Sequence, residues 1–187
     1  MSPISSPSLL HGPRVTKNVF LVGPMGSGKS AVGRRLARDL GLDFVDSDEE
    51  IERRTGVDIP YIFEREGEAG FRVREAEVID DLTVREGLVI ATGGGAILDP
   101  RSRERLRSRG RVVYLRTTIE QQLARTRHGT GRPLLNNDDP RGTLERLMAL
   151  RAPLYDEVAT VTVDTDGRKV KTVVDQILRA LGEPLAE

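Results

Sequence analysis

The segment Gly23-Pro24-Met25-Gly26-Ser27-Gly28-Lys29-Ser30 fits G-x-x-x-x-G-K-[ST], the pattern of a phosphate-binding P-loop, and its flanks narrow the fold sharply. Ahead of it Val19-Phe20-Leu21-Val22 is an apolar run that predicts a buried strand. Behind it Val32, Leu36 and Leu40 recur every fourth residue up to Gly41, which predicts a helix with one buried stripe and a glycine stop. Strand, glycine loop, helix is the order the motif needs. Glycines let backbone approach the phosphates, and the helix N-terminus adds unpaired N–H groups and partial positive charge. Lys29 can then reach the β- and γ-phosphates, and the Ser30 hydroxyl can ligate Mg²⁺. An ordinary glycine turn is the competing reading, and the flanks argue against it.

Composition removes several classes of partner. Lys plus Arg and Asp plus Glu both total 29, so net charge gives no reason to expect nucleic acid or an anionic membrane. There are no cysteines, which excludes disulfides and thiolate metal sites and fits a cytoplasmic setting. No apolar run approaches the roughly 20 residues needed to span a bilayer. With 187 residues the default is one α/β domain, residues 17–187. Residues 1–16, with serines and prolines but no basic start, read as a flexible tail rather than a signal peptide.

Short β-branched runs alternate with longer helical patterns. The runs are Val19 to Val22, Leu42 to Val45, Leu88 to Ala91, Val112 to Leu115 and Thr160 to Val163. Without hairpin signals between them, they predict five parallel strands joined by right-handed crossovers, with helices on both faces. Ser47 with Glu50, and Thr117 with Glu120, read as capping boxes opening two of the helices. Such a sheet binds its ligands beyond the carboxyl ends of its strands.

Beyond the second strand stand Asp46 and Asp48. In an extended segment they point the same way, toward the crevice that holds the phosphates. Asp46, nearer the strand, suits a hold on Mg²⁺ through water, and Asp48 suits an acceptor hydroxyl, as hydrogen-bond acceptor and general base. The alternative is that one of them only caps the next helix, a job Ser47 is placed to do. The third strand runs into Gly93-Gly94-Gly95, which suits either close approach to an oxygen-rich substrate or a tight turn. Arg72, at the start of a helix with stripe Phe71, Val78, Ile79 and Leu82, Arg132, in the glycine-flanked stretch from Thr126 to Pro133, and Arg151, within an apolar stretch, are candidates for an anionic acceptor and a triphosphate. Surface ion pairing is the alternative for each. His11 and His128 lack metal-ligand spacing.

The arrangement resembles the shikimate kinase family. The resemblance rests on Gly23 to Ser30, Phe44-Val45-Asp46-Ser47-Asp48 with Ile51-Glu52, Phe71-Arg72 with Glu75, Thr92-Gly93-Gly94-Gly95, Gly131-Arg132-Pro133-Leu134-Leu135, and Arg151 with Leu154-Tyr155 and Glu157-Val158-Ala159. These matches fall in the family's order and span nearly everything from Lys17 to Leu181. The resemblance implies a three-layer P-loop kinase fold with a mobile lid at about 126–140, acting as a cytoplasmic monomer. It implies transfer of the ATP γ-phosphate to the 3-hydroxyl of shikimate, with Mg²⁺. By position, Gly26, Ser27, Gly28, Lys29, Ser30, Ala31, Arg125, Arg132 and Arg168 would bind ATP, with Arg125 near the adenine. Ser30 would hold Mg²⁺ with Asp46 behind a water. Lys29, Asp48 and Arg132 would be catalytic. Asp48, Arg72, Gly93, Gly94, Gly95 and Arg151 would bind shikimate, the two arginines at its carboxylate. Where relatives often show a proline after the last strand, this chain has Asp164-Thr165-Asp166-Gly167-Arg168.

A gluconate-type kinase is the nearest competitor, opposed by Asp46-Ser47-Asp48 and the three glycines. A nucleotide-driven switch is the competitor from another class. GTP switches need an Asn-Lys-x-Asp segment, which this chain lacks, and its Asp164-x-x-Gly167 follows the last strand instead of an early one.

Overall fold

The computed structural model describes residues 17–127 and 132–185. The tail at 1–16, His11, His128 and the lid positions 128–131 lie outside the described residues. In chain order the elements are β1 (Asn18–Val22), α1 (Lys29–Leu40), β2 (Asp43–Asp46), α2 (Ser47–Thr55), α3 (Ile59–Thr83), β3 (Leu88–Ala91), α4 (Pro100–Arg109), β4 (Gly110–Arg116), α5 (Ile119–Thr126), α6 (Pro140–Val158), β5 (Val161–Asp164) and α7 (Val170–Leu181). Single 3₁₀ turns at Ala96–Leu98 and Pro133–Leu135 precede α4 and α6.

All five strands are parallel, in the order β2-β3-β1-β4-β5, so all their carboxyl ends lie along one edge. The period-2 alternation of side chains sorts the strand residues onto two cores. Phe20, Val22, Ile90, Val112 and Tyr114 face α2, α3, α4 and α6 through Ile51, Ile79, Leu82, Leu106 and Tyr155. Val19, Leu21, Val89, Val113 and Leu115 face α1 and α7 through Val32, Leu36, Val174, Ile177 and Leu178. Strands buried on both faces read as unbroken apolar runs, which is why β1, β3 and β4 were legible by composition alone. The helix read from Val32, Leu36 and Leu40 is α1, closed by Gly41 in the left-handed conformation at φ 67°.

Gly33 on α1 marks how closely that helix lies on the sheet. A Cβ there would strike the Phe44 ring and lie 3.1 Å from Leu21 Cδ1. Gly33→Ala is therefore expected to lower stability by about 1–3 kcal/mol, despite alanine's better helix propensity, in a denaturant titration with unchanged slope.

Both capping boxes are corrected by the structure. Asp46, not Ser47, is the N-cap of α2, its carboxylate accepting from the N–H groups of Asp48 and Glu49. Ser47 is drawn under the helix, fully buried, where its Oγ accepts the Gly93 N–H at 2.9 Å. Thr118, not Thr117, caps α5, while Thr117 donates its hydroxyl to Asp166. In each case the neighbouring residue meets a long-range partner that local spacing cannot reveal. The helix carrying Arg72 starts where its apolar stripe suggests, because α3 is broken at Gly67, whose φ of 69° and ψ of −178° are not helical and separate an earlier helical stretch from the one that bears Arg72.

Candidate active site

The P-loop follows β1 and curls over the start of α1. Gly23, Gly26 and Gly28 hold φ values of 146°, 75° and 90°, the positive range in which glycine is at ease, and Gly28 is the N-cap of α1 without any side-chain cap. The first N–H groups of α1 are thereby left for an anion. Lys29 Nζ donates to the carbonyls of Gly23 and Pro24, both at 2.8 Å. Burial pulls its pKa down to about 8, against the opposing pull of the Asp48 and Asp46 carboxylates.

A cavity of about 350 Å³ opens above the loop, lined by Gly26, Gly28, Lys29, Ser30, Ala31, Arg125 and Arg132 together with Asp46 and Asp48. Ser27 sits beneath it, fully buried. Arg125, on α5, donates to the Gly26 carbonyl at 2.8 Å and reaches toward the Thr165 carbonyl at 3.5 Å, so it bridges the P-loop and the segment after β5. Arg168 is the one expected ATP residue that the structure leaves apart. Its guanidinium is turned onto Gln176 of α7.

Asp46 does two jobs with its two oxygens. Oδ1 caps α2, and Oδ2 accepts the Ser30 hydroxyl at 2.6 Å. Capping and metal binding are thus not alternatives at this position, because one carboxylate offers lone pairs to both sides. Asp48 Oδ1 is shut off from solvent and has no partner. Burial, Glu75 and Asp46 push its pKa up to about 7, opposed by Lys29 and Arg72.

The turn after β3 closes the other side of the site. At Gly93 a Cβ would collide with Glu75 Oε1 and lie 2.8 Å from Asp48 Oδ1, so glycine is what lets the two carboxylates converge. At Gly95 a Cβ would strike the Arg72 guanidinium, and at Gly94 it would lie 3.4 Å from Arg151 Nη1. Arg72 is held by Glu75 at 2.7 Å and Glu68 at 2.9 Å. Arg151 is only 3 % exposed, its Nε has no partner, and no carboxylate pairs with it among the described residues. A buried guanidinium without a counterion is costly, and the cost is removed when an anion docks. These groups line a cavity of about 130 Å³ with Asp48, Phe63 and Phe71. A larger space of about 930 Å³ between the start of α3, α5 and the Pro133 turn shares Phe63, Arg132 and Pro133 with it but none of the P-loop.

Sequence reasoning gave no site role to Glu75 or Tyr155 and read Ser47 only as a helix cap. Glu75 had a visible signal, a carboxylate four residues after Phe71 on the buried stripe of α3. Tyr155, four residues after Arg151 on α6, donates to the Gly94 carbonyl at 2.5 Å. Together the groups can hold a triphosphate over the P-loop and, beside it, a hydroxylated acceptor whose anionic end meets the arginines.

A family profile described as Shikimate kinase matches residues 25–182. A shikimate kinase from Halorhodospira halophila is 59% identical over 172 residues, covering 91% of this chain and 97% of its own. Among solved structures, shikimate kinase from Acinetobacter baumannii in complex with shikimate superposes with a TM-score of 0.88 at 50% identity, over 90% of this chain and 94% of that one. A gluconokinase from Sinorhizobium meliloti reaches a TM-score of 0.60 at 22% identity over 91% and 94% of the two chains, a likeness of fold alone.

Proposed function

The chain belongs to the shikimate kinase family, and from that premise we propose how its residues divide the transfer of the ATP γ-phosphoryl group to the 3-hydroxyl of shikimate. It is an enzyme, a kinase that uses ATP and shikimate. The gluconate-type reading retains only the shared fold. The observation that carries the acceptor assignment is the buried Arg151, which no carboxylate pairs with among the described residues, beside Arg72 and facing Gly94.

In this reading the N–H groups of the P-loop and of the first turn of α1 bind the phosphates. Lys29 exchanges its two loop carbonyls for phosphate oxygens, and Arg132 adds charge from the lid side. Arg125 lies along the nucleotide base. Arg168 would have to leave Gln176 to join it. Arg72 and Arg151 take the acceptor's carboxylate, which fixes the distance from that end of the ring to Asp48. The 3-hydroxyl oxygen then attacks the γ-phosphorus as the bond to the β,γ-bridging oxygen breaks. ADP leaves with that electron pair, and the hydroxyl proton passes to Asp48.

The oxygen-only set of Ser30 and Asp46, linked at 2.6 Å, fits Mg²⁺. Ser30 would hold it directly and Asp46 through water, and bound there it would neutralise charge on the transferring phosphate. The scheme calls for no group from a second chain, and a monomer is the state proposed here on the family resemblance. The balanced charge of 29 against 29 and the lack of cysteines support a cytoplasmic enzyme working without nucleic acid or membrane. Among the described residues no helix is long and apolar enough to cross a membrane. The segment about 126–140 is proposed as a lid that closes over the transferring group.

The direct test is coupled ADP release with ATP and Mg²⁺ against shikimate, quinate, gluconate and nucleoside monophosphates, in which only shikimate gives strong turnover. Arg151→Lys tests the acceptor assignment. Lysine keeps the charge and loses the fork, so KM for shikimate is expected to rise by about tenfold or more while KM for ATP stays within about twofold. Equal effects on both substrates would move Arg151 to the phosphate side or make it structural.

A further inference from the structure

The glycine turn is closed by the Ala96 N–H on the Gly93 carbonyl at 3.1 Å, and two side chains hold it from outside. Ser47 Oγ takes the Gly93 N–H at 2.9 Å, and Tyr155 donates its hydroxyl to the Gly94 carbonyl at 2.5 Å. Tyr155 is 0 % exposed, and its ring stacks on Tyr114 with centroids 5.0 Å apart. Burial raises its pKa, so the phenol remains a donor throughout the working range.

Tyr155 follows Arg151 by one helical turn on α6, so one helix face delivers both groups to the same glycines. The peptide joining Gly94 to Gly95 is trans, and in a trans peptide the carbonyl and the following N–H point in opposite directions. Drawing the Gly94 carbonyl to Tyr155 therefore turns the Gly95 N–H away from α6. Gly95 is also the glycine that packs against the Arg72 guanidinium. The bond from the Ala96 N–H to the Gly93 carbonyl closes the turn but does not involve its central peptide, Gly94–Gly95, and glycine on both sides of that peptide leaves it free to flip without the phenol hydroxyl.

We infer that Tyr155 is a positioning residue for the acceptor. Its hydroxyl sets the Gly94–Gly95 peptide, and with it the wall between Arg151 and Arg72 against which the carboxylate end of shikimate rests. Tyr155 lies behind the turn, 0 % exposed, and acts through it. The inference deepens the acceptor assignment of Arg151 and the glycine turn and rests on it.

Tyr155→Phe removes one oxygen and keeps the ring, its stack and its volume. The expected result is a rise of about tenfold in KM for shikimate, with kcat and KM for ATP within about twofold and a matching rise in the shikimate Kd by calorimetry. Tyr114→Leu serves as the comparison, since it removes the stacked ring but leaves the hydroxyl-to-carbonyl bond. It should lower Tm while KM for shikimate stays close to that of the parent. An unchanged shikimate KM in Tyr155→Phe, an equal rise for ATP, the same shift in Tyr114→Leu, or a Tyr155→Phe protein too unstable to assay would each overturn the inference in favour of a packing role. Failure of Arg151→Lys would undo the acceptor assignment itself. A normal Arg151→Lys response beside a silent Tyr155→Phe would undo only the role of Tyr155.

Discussion

Lys29→Met is expected to lose turnover by about 10²-fold or more while ATP affinity changes far less. The Lys29 ammonium is satisfied by the carbonyls of Gly23 and Pro24, so ground-state binding of ATP exchanges one pair of partners for another. Its net effect falls where charge moves toward the β,γ-bridging oxygen as the phosphoryl group leaves. Methionine fills the same space without the charge. The variant should also fold. The native pKa of Lys29 is lowered from 10.5 to about 8, so below pH 8 both states carry the charge and the native one bears the burial penalty. Between pH 8 and 10.5 the unfolded chain binds the extra proton, and stability gains as pH rises. At pH 7, then, Tm of Lys29→Met should not fall below that of the parent. Single-turnover assays beside calorimetry with a non-hydrolysable ATP analogue separate the two effects. Near-parent turnover in a folded variant would mean that the glycine loop does not handle ATP as described.

The parts of this site that could be read from the chain are those whose cause is local. The P-loop, β1 and α1 are encoded within residues 18–41 by an apolar run, four glycines at positive φ and a four-residue repeat, and they stand where the pattern put them. Asp46 and Asp48 were legible as a pair because they follow a strand in a sheet whose ligands bind at strand ends. Their surroundings were not legible. That Ser47 would leave the cap to Asp46 depends on Gly93, which is 46 residues away and becomes its neighbour only through β2–β3 pairing. Thr117 is likewise taken by Asp166, whose approach depends on β4–β5 pairing. The same holds for Glu75. Its position on a buried stripe was visible, but only the fold shows that it neutralises Arg72 and crowds Asp48 across Gly93. Arg168, assigned to the nucleotide only through the family resemblance, rests on the Gln176 side chain of α7, a contact that the segment after β5 does not announce.

Asp48→Asn should lower turnover by about 10²- to 10⁴-fold, the loss typical of a positioned acid-base group, while ATP affinity changes little. Asparagine keeps the size of the side chain and can still accept from the hydroxyl, but it cannot take the proton. The pH profile distinguishes that loss from a simple change of shape. With a native pKa pushed up to about 7 by burial, Glu75 and Asp46, the parent should lose activity as pH falls below 7, because the carboxylate is the form that accepts the proton. The residual rate of Asp48→Asn should lack that limb. Stability should move the opposite way. A carboxyl whose pKa rises from 3.8 to about 7 on folding leaves the native state with the bound proton over that interval, so its favourable contribution is complete below pH 3.8 and gone above 7. Asp48→Asn should consequently be more stable than the parent at pH 8, with the difference closing toward pH 4, as expected where an active site keeps a charge that burial disfavours. Activity within a fewfold of the parent, or an acid limb that survives the substitution, would show that the proton goes elsewhere and that Asp48 only shapes the pocket.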